Sequence, residues 1–113
     1  MRLRRVDLSD CGLERLPQCA WRVDGVTHLS LAGNRLRSFP QLNGWSALKE
    51  LSVDRNQMEQ LPDRFDNLRG LEAFSVYDNR LQALPDSLWE LNELRVLNVS
   101  ANQIEHVSPK VGN

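Results

Sequence analysis

The sequence predicts an α/β solenoid, a stack of similar coils in which each coil joins a short strand to a short helix or turn. One pattern of apolar residues recurs five times in the 113 residues, and its copies begin at Leu3, Val26, Leu48, Leu71 and Leu94. These starts are separated by 23, 22, 23 and 23 residues. A fixed period of about 20 to 50 residues is the signature of a repeat architecture.

The first half of each copy has the pattern of a strand with one buried face. In the segment 71–81, Phe74 and Val76 alternate with polar residues, as such a strand requires. Asn79 follows where the chain turns, and its amide can satisfy backbone groups that are shut off from water. Stacked coils would align it in a ladder with its counterparts Asn34, Asn56 and Asn102 and with Cys11, a small side chain that is readily buried.

The second half of each copy is an arm that opens with Leu-Pro or a near equivalent. These pairs are Leu16-Pro17, Phe39-Pro40, Leu61-Pro62, Leu84-Pro85 and the degenerate Val107-Ser108. Proline suits the first turn of a helix, and Leu88, Leu91 and Leu94 then form an apolar stripe. Trp45 replaces a leucine of this stripe in the second copy, and we expect it to be buried.

The two halves together, LxxLxLxx(N/C)xL followed by LPxxLxxLxxL, resemble the leucine-rich repeat family. The resemblance covers essentially all of the chain and is closest to the intracellular repeats of bacterial proteins and of Ras-associated plant and animal proteins. It implies one domain over residues 1–113, a right-handed horseshoe with a parallel concave sheet of about five strands. Short helices or 3-10 turns would lie on the convex side.

Both ends of the repeat array lack the specialised caps that solenoids need. The first copy starts almost at Met1, and the chain stops at Asn113 soon after the last strand. The outer strands would then present unpaired edges. We expect the chain to be a fragment of a longer protein, to self-associate through an end, or to fold its termini back as caps, and we favour the first.

Bulk properties exclude some function classes. The formal net charge of -1, from 14 basic and 15 acidic residues, argues against a general nucleic-acid or membrane-surface binder. No apolar run is long enough to span a bilayer. The basic start of the chain lacks the apolar stretch of a secretory signal, so the sequence favours a cytoplasmic protein, or one delivered into a host cell if its source is a pathogen.

Catalytic and metal-binding patterns are not found. His28 and His106 fall at different positions of the repeat, and Cys11 and Cys19 have a spacing that matches no usual zinc site. No glycine-rich phosphate loop is present. We therefore predict no enzymatic activity, no cofactor and no metal site.

The variable strand residues, which face outward on the concave side, form the predicted partner-binding surface. Small polar residues occupy its centre, so a partner could approach closely. The predicted binding residues are Arg5, His28, Lys49, Glu50, Asp54, Arg55, Tyr77 and Asp78. Tyr77 with Arg55 is the preferred hot spot, because tyrosine and arginine combine large contact area with directional hydrogen bonds. The alternative is that charges such as Arg55 and Asp78 only neutralise one another on a solvated face.

Two tryptophans define a possible second interface. Trp21 and Trp89 each come one residue after a buried position of the arm, so we expect them to be partly exposed. Such an indole either lies against neighbouring arms or marks a contact with another domain or subunit.

The predicted function is non-catalytic protein recognition through the concave face, with most contacts from the second to fourth repeats. The resemblance leaves two alternatives open. The repeats could be the substrate-recognition or autoinhibitory arm of a larger enzyme, such as an effector-type ubiquitin ligase, a kinase or a GTPase. They could also form a structural module that homo-oligomerises.

Overall fold

Each repeat contributes one short strand to a single parallel sheet. The computed structural model describes residues 4–16, 23–39, 42, 44–62, 65 and 68–104. The strands are β1 (Arg5–Asp7), β2 (His28–Ser30), β3 (Glu50–Ser52), β4 (Ala73–Ser75) and β5 (Val96–Asn98). Their order in the sheet is β1-β2-β3-β4-β5, and every neighbouring pair is parallel. The predicted α/β solenoid with a parallel sheet of five strands is confirmed.

The middle residue of each strand faces the core, as the alternating pattern predicts. Leu29, Leu51 and Phe74 are aligned in register on β2 to β4 and are almost completely buried. Their counterparts Val6 and Leu97 on the outer strands are only partly buried. The residues on either side of each middle position point away from the core, which leaves them on the concave face.

The arms supply the other wall of the core. A 3-10 helix, Asp86–Glu90, follows Pro85 and buries Leu88 completely. Pro85 lies one residue before this helix in an extended conformation, rather than within its first turn. Trp45 is buried at 4% exposure, which confirms its place in the leucine stripe. Pro17, Pro40 and the pair Val107-Ser108 lie outside the described residues.

The asparagine ladder joins successive coils through their backbones. Asn56 Oδ1 accepts a hydrogen bond from Leu36 N at 2.9 Å in the preceding coil, and Asn56 Nδ2 donates to Leu31 O at 3.0 Å and Val53 O at 2.9 Å. Asn34, Asn79 and Asn102 make equivalent bonds. The predicted ladder is therefore confirmed for all four asparagines.

Cys11 occupies the ladder position of the first repeat without being buried. Its backbone N–H donates to Asn34 Oδ1 at 3.0 Å, while its thiol is exposed and lies 3.3 Å from Ser9 O. The expectation of a buried cysteine is wrong, because β1 pairs only with β2 and no other described coil covers this side of the first repeat.

Candidate functional site

The concave surface of each coil ends at a residue whose backbone has a left-handed conformation. The φ angle is 54° at Asp10 and Arg55, 57° at Asp78 and Ala101, and 70° at Gly33. Backbone hydrogen bonds continue beyond the strands to these residues, since Arg55 N donates to Tyr77 O at 2.8 Å. The outward residues of neighbouring coils consequently remain aligned from the first strand residue to the turn.

The concave face forms an open groove of about 510 Å³ that crosses all five strands. Its floor is made of small side chains, including Ser30, Ser52 and Ser75, which are aligned in register. Small side chains leave the sheet accessible, as the sequence predicts. We call this surface, which runs from Arg5 on β1 to Val96 on β5, the concave groove.

The chemistry of the groove changes from one end to the other. The residues in register along its first row are Arg5, His28, Glu50, Ala73 and Val96. His28 Nε2 lies 2.6 Å from Glu50 Oε2, and His28 Nδ1 lies 2.8 Å from Thr27 Oγ1, so both ring nitrogens have partners. The row therefore begins with a basic side chain, passes through a paired His–Glu contact and ends with apolar side chains.

The carboxylate of Asp54 binds across to the next coil. It accepts hydrogen bonds from Ser75 Oγ at 2.5 Å and from Tyr77 N at 2.7 Å. These bonds fix the backbone that carries Tyr77, whose side chain remains 41% exposed. Asp54, which is half-buried, thus acts as a support for the predicted hot spot.

In the outer coils, side-chain hydrogen bonds of this kind stay within one coil instead of joining two. Asp7 Oδ1 accepts from Ser9 Oγ at 2.5 Å and from Ser9 N at 3.0 Å within the same coil. The hydroxyl bond and then the N–H bond lower the pKa of the Asp7 carboxyl below its ordinary value of 3.8. Asn98 receives the same two bonds from Ser100.

An ion pair spans three coils next to the groove. Arg55 Nη2 lies 3.9 Å from Asp10 Oδ1, although Gly33 belongs to the coil between them. A Cβ at Gly33 would collide with the Asp10 carboxylate, so glycine provides the space for this contact. Arg55 therefore pairs with Asp10, whereas the sequence suggested Asp78 as its neutralising partner.

The predicted binding residues are brought to one face but differ in availability. Tyr77 and Arg55 lie on adjacent coils, as expected of the hot spot, and Asp78 is exposed beside them. Lys49 Nζ lies 3.9 Å from Glu72 Oε2, so these two charges are paired with each other. The role of these residues in binding stays a prediction.

Val96 is an exposed residue of the concave face that is not among the predicted binding residues. It is 60% exposed, and among the described residues only Val96 and Tyr77 are large apolar side chains with such exposure. Both belong to the concave face. The signal was present in the sequence, because Val96 is the one large aliphatic residue at the outward position that Arg5, His28 and Glu50 occupy in earlier repeats.

The tryptophans of the predicted second interface are only partly described. Trp89 is half-buried and packs against the core. Its Nε1–H is buried and has no hydrogen-bond partner in the part of the chain that the structure describes. Trp21 lies outside the described residues.

Metal-binding clusters and membrane-spanning helices are both absent from the described ranges. No group of three or more His, Cys, Asp and Glu side chains in those ranges is arranged to hold a metal ion. No helix there combines the length and apolar composition needed to cross a membrane.

Comparison with known proteins identifies the architecture. The family model described as leucine rich repeat matches residues 46–104. The chain belongs to the leucine-rich repeat family. A solved structure of the Leptospira interrogans LRR protein LIC12759 superimposes with a TM-score of 0.73 and 28% identity, over 78% of this chain and 23% of that protein.

Curated relatives also contain this kind of repeat. The human volume-regulated anion channel subunit LRRC8E is 34% identical over 73 residues, which are 62% of this chain and 9% of the channel subunit. The Xenopus laevis subunit is 31% identical over the same length. The leucine-rich repeat chain thus spans a small part of the relatives it matches. Solenoids of this family are scaffolds for protein interaction.

Proposed function

We propose that this leucine-rich repeat chain is a non-catalytic protein-recognition module that binds its partner in the concave groove. One observation carries the proposal. The two large apolar side chains with the greatest exposure in the described residues, Tyr77 and Val96, both lie on the concave face. A concave surface that presents large exposed side chains, tyrosine among them, offers the contact area that protein interfaces use.

The architecture around these side chains supports the same function. The floor of small serines allows close approach, and the hydrogen bonds that the Asp54 carboxylate accepts hold the coil that presents Tyr77. Because the backbone of Tyr77 is already held in place, this segment needs little further ordering when a partner binds, which favours affinity. Val96 moves the expected centre of contact from repeats two to four towards repeats three to five.

Affinity capture with matched variants tests this function. Wild type, Tyr77→Ala and Arg80→Ala are immobilised and exposed to a lysate of source cells, and retained proteins are compared by mass spectrometry. Arg80 is an exposed large side chain of the same repeat that comes after the ladder residue Asn79, whereas Tyr77 comes two residues after Ser75 of the groove lining. Truncation of a hot-spot aromatic costs about 2 kcal/mol or more, so Tyr77→Ala should lose the partner that Arg80→Ala retains.

Equal retention by all three proteins contradicts binding through the concave face. Loss in a Trp89→Ala variant alone would instead locate the interface on the convex arms. Circular dichroism spectra of each variant establish that the fold is intact.

A further inference from the structure

The concave groove has chemically different ends, and this difference indicates what kind of segment it accepts. Arg5 at one end is exposed, and its guanidinium makes no ion pair with the described residues. Ala73 and Val96 at the other end present apolar surface. The inference rests on the proposed function, because it specifies the partner of the same groove.

Among the described residues that line the groove, charge pairing leaves Arg5 as the available cation. The His28 ring contacts Glu50 and Thr27 through its two nitrogens, so it has no free nitrogen to offer a ligand. Lys49 lies near Glu72, beside the groove. The Asp7 carboxylate, two residues from Arg5, accepts two hydrogen bonds from Ser9. A ligand carboxylate at this end would therefore meet Arg5 as its main partner.

The floor between the two ends suits an extended backbone. Ser30 and Ser52 are small, and their hydroxyls form no hydrogen bond with the described residues, so they can donate to and accept from a ligand. Ser75 differs, because its hydroxyl already donates to Asp54. An extended segment can lie closer to these serines than a helix, which is about 10 Å wide.

The spacing of the strands sets the spacing of the ligand's side chains. Neighbouring strands are about 4.8 Å apart, so Arg5 lies about 14 Å from Ala73 and about 19 Å from Val96 along the row. An extended chain advances about 3.4 Å per residue. A segment that crosses the strands would therefore reach from Arg5 to the apolar end in about four to six residues.

We propose that the concave groove binds an extended segment of a partner protein that crosses the strands, with an acidic side chain at Arg5 and a large apolar side chain against Ala73 and Val96. The carboxylate and the apolar side chain are separated by about four to six residues. Charge complementarity fixes the position of the segment, and apolar burial supplies most of its affinity.

A displayed peptide library tests the proposal with synthetic segments in place of the natural partner. A phage library of random linear 12-residue peptides is selected on the full chain, and the enriched peptides are synthesised and measured by fluorescence anisotropy. The expected peptides carry Asp or Glu and a large apolar residue at the stated separation. Arg5→Glu should weaken their binding about five- to tenfold, since it replaces an attraction by a repulsion.

Matched controls separate this effect from nonspecific charge. Arg69→Glu reverses an exposed charge on the arm before β4, outside the groove, and should change affinity by less than about twofold. Replacing the peptide's Asp by Asn should weaken binding to wild type and strengthen binding to Arg5→Glu, because it removes the repulsion between two carboxylates. Val96→Glu should weaken every enriched peptide.

The outcomes distinguish this inference from the function on which it rests. Peptides that respond to Val96→Glu but show no acidic preference and no response to Arg5→Glu overturn the proposed partner chemistry and leave concave-face binding standing. A library without binders, or binders that ignore both residues, overturns the extended-segment proposal. Binding of a folded partner is then decided separately by the Tyr77→Ala capture experiment.

Discussion

The inner repeats and the outer repeats of this chain use the same sequence pattern with different results. In the second to fourth repeats, Leu29, Leu51 and Phe74 are buried between coils on both sides. In the first and fifth, Val6 and Leu97 occupy the same position and remain partly exposed. A repeat's contribution to stability therefore depends on its neighbours as well as on its own residues.

The largest contrast is expected for leucines of the core. Leu51→Ala removes a buried side chain between β2 and β4 and should lower the free energy of unfolding by about 3 to 4 kcal/mol. Leu97→Ala, at the matched position of β5, should cost about 1 to 2 kcal/mol, because its site is already partly open to water. Urea denaturation monitored by circular dichroism measures both. Equal losses would show that burial does not differ between these repeats.

The asparagine ladder provides a polar version of the same contrast. Asn56→Ala deprives neighbouring coils of hydrogen bonds in a buried place and should cost about 2 to 3 kcal/mol. Asn102 is less buried, so water can replace part of what Asn102→Ala removes, and about 1 kcal/mol is expected. The same denaturation experiment compares the two variants. A cost for Asn102→Ala as large as that for Asn56→Ala would contradict the role of burial.

Substitutions at two glycines distinguish the cost of backbone strain from the cost of crowding by a neighbouring side chain. Gly12 and Gly33 both have positive φ values, 69° and 70°, but only Gly33 faces another side chain, that of Asp10. Gly12→Ala should cost about 1 kcal/mol and Gly33→Ala about 2 kcal/mol. The double variant Asp10→Ala with Gly33→Ala should recover much of the difference in thermal unfolding. Failure of the double variant to recover stability would mean that the space above Gly33 is unimportant.

The smallest effect concerns the first repeat and acid pH. Hydrogen bonds from Ser9 lower the pKa of Asp7 in the folded chain, so the stabilisation they give is present above the unfolded pKa and is lost as pH falls through the folded pKa, below 3.8. Ser9→Ala should raise the Asp7 pKa towards its ordinary value. Carbon-detected NMR titration of the carboxyl group measures this shift. An unchanged titration curve would show that Ser9 does not stabilise the carboxylate.

The fold could be predicted because its pattern is repeated. A single LxxLxL segment is ambiguous, but five copies at a nearly constant spacing define both the strand and the buried face. The same logic placed Trp45 in the core and Asn34, Asn56, Asn79 and Asn102 in one ladder. Each of these properties depends on contacts that every repeat makes in the same way.

The features that were missed depend on particular neighbours. The pairing of Arg55 with Asp10 requires the empty space above Gly33 in the coil between them, and the pattern of one repeat does not contain that information. Cys11 is exposed because no described coil lies beside it on the outer side. The importance of Val96 becomes clear only when its exposure is compared with that of every other large apolar residue.

The most direct test of concave-face recognition is a residue-resolved NMR titration of the ¹⁵N-labelled chain with the partner retained in the capture experiment. Concave-face recognition predicts that backbone amide shifts concentrate on outward residues of the concave side, from Arg5 through Ser52 and Tyr77 to Val96. Shifts concentrated around Trp89 and the 3-10 helix, with the sheet unchanged, would contradict it.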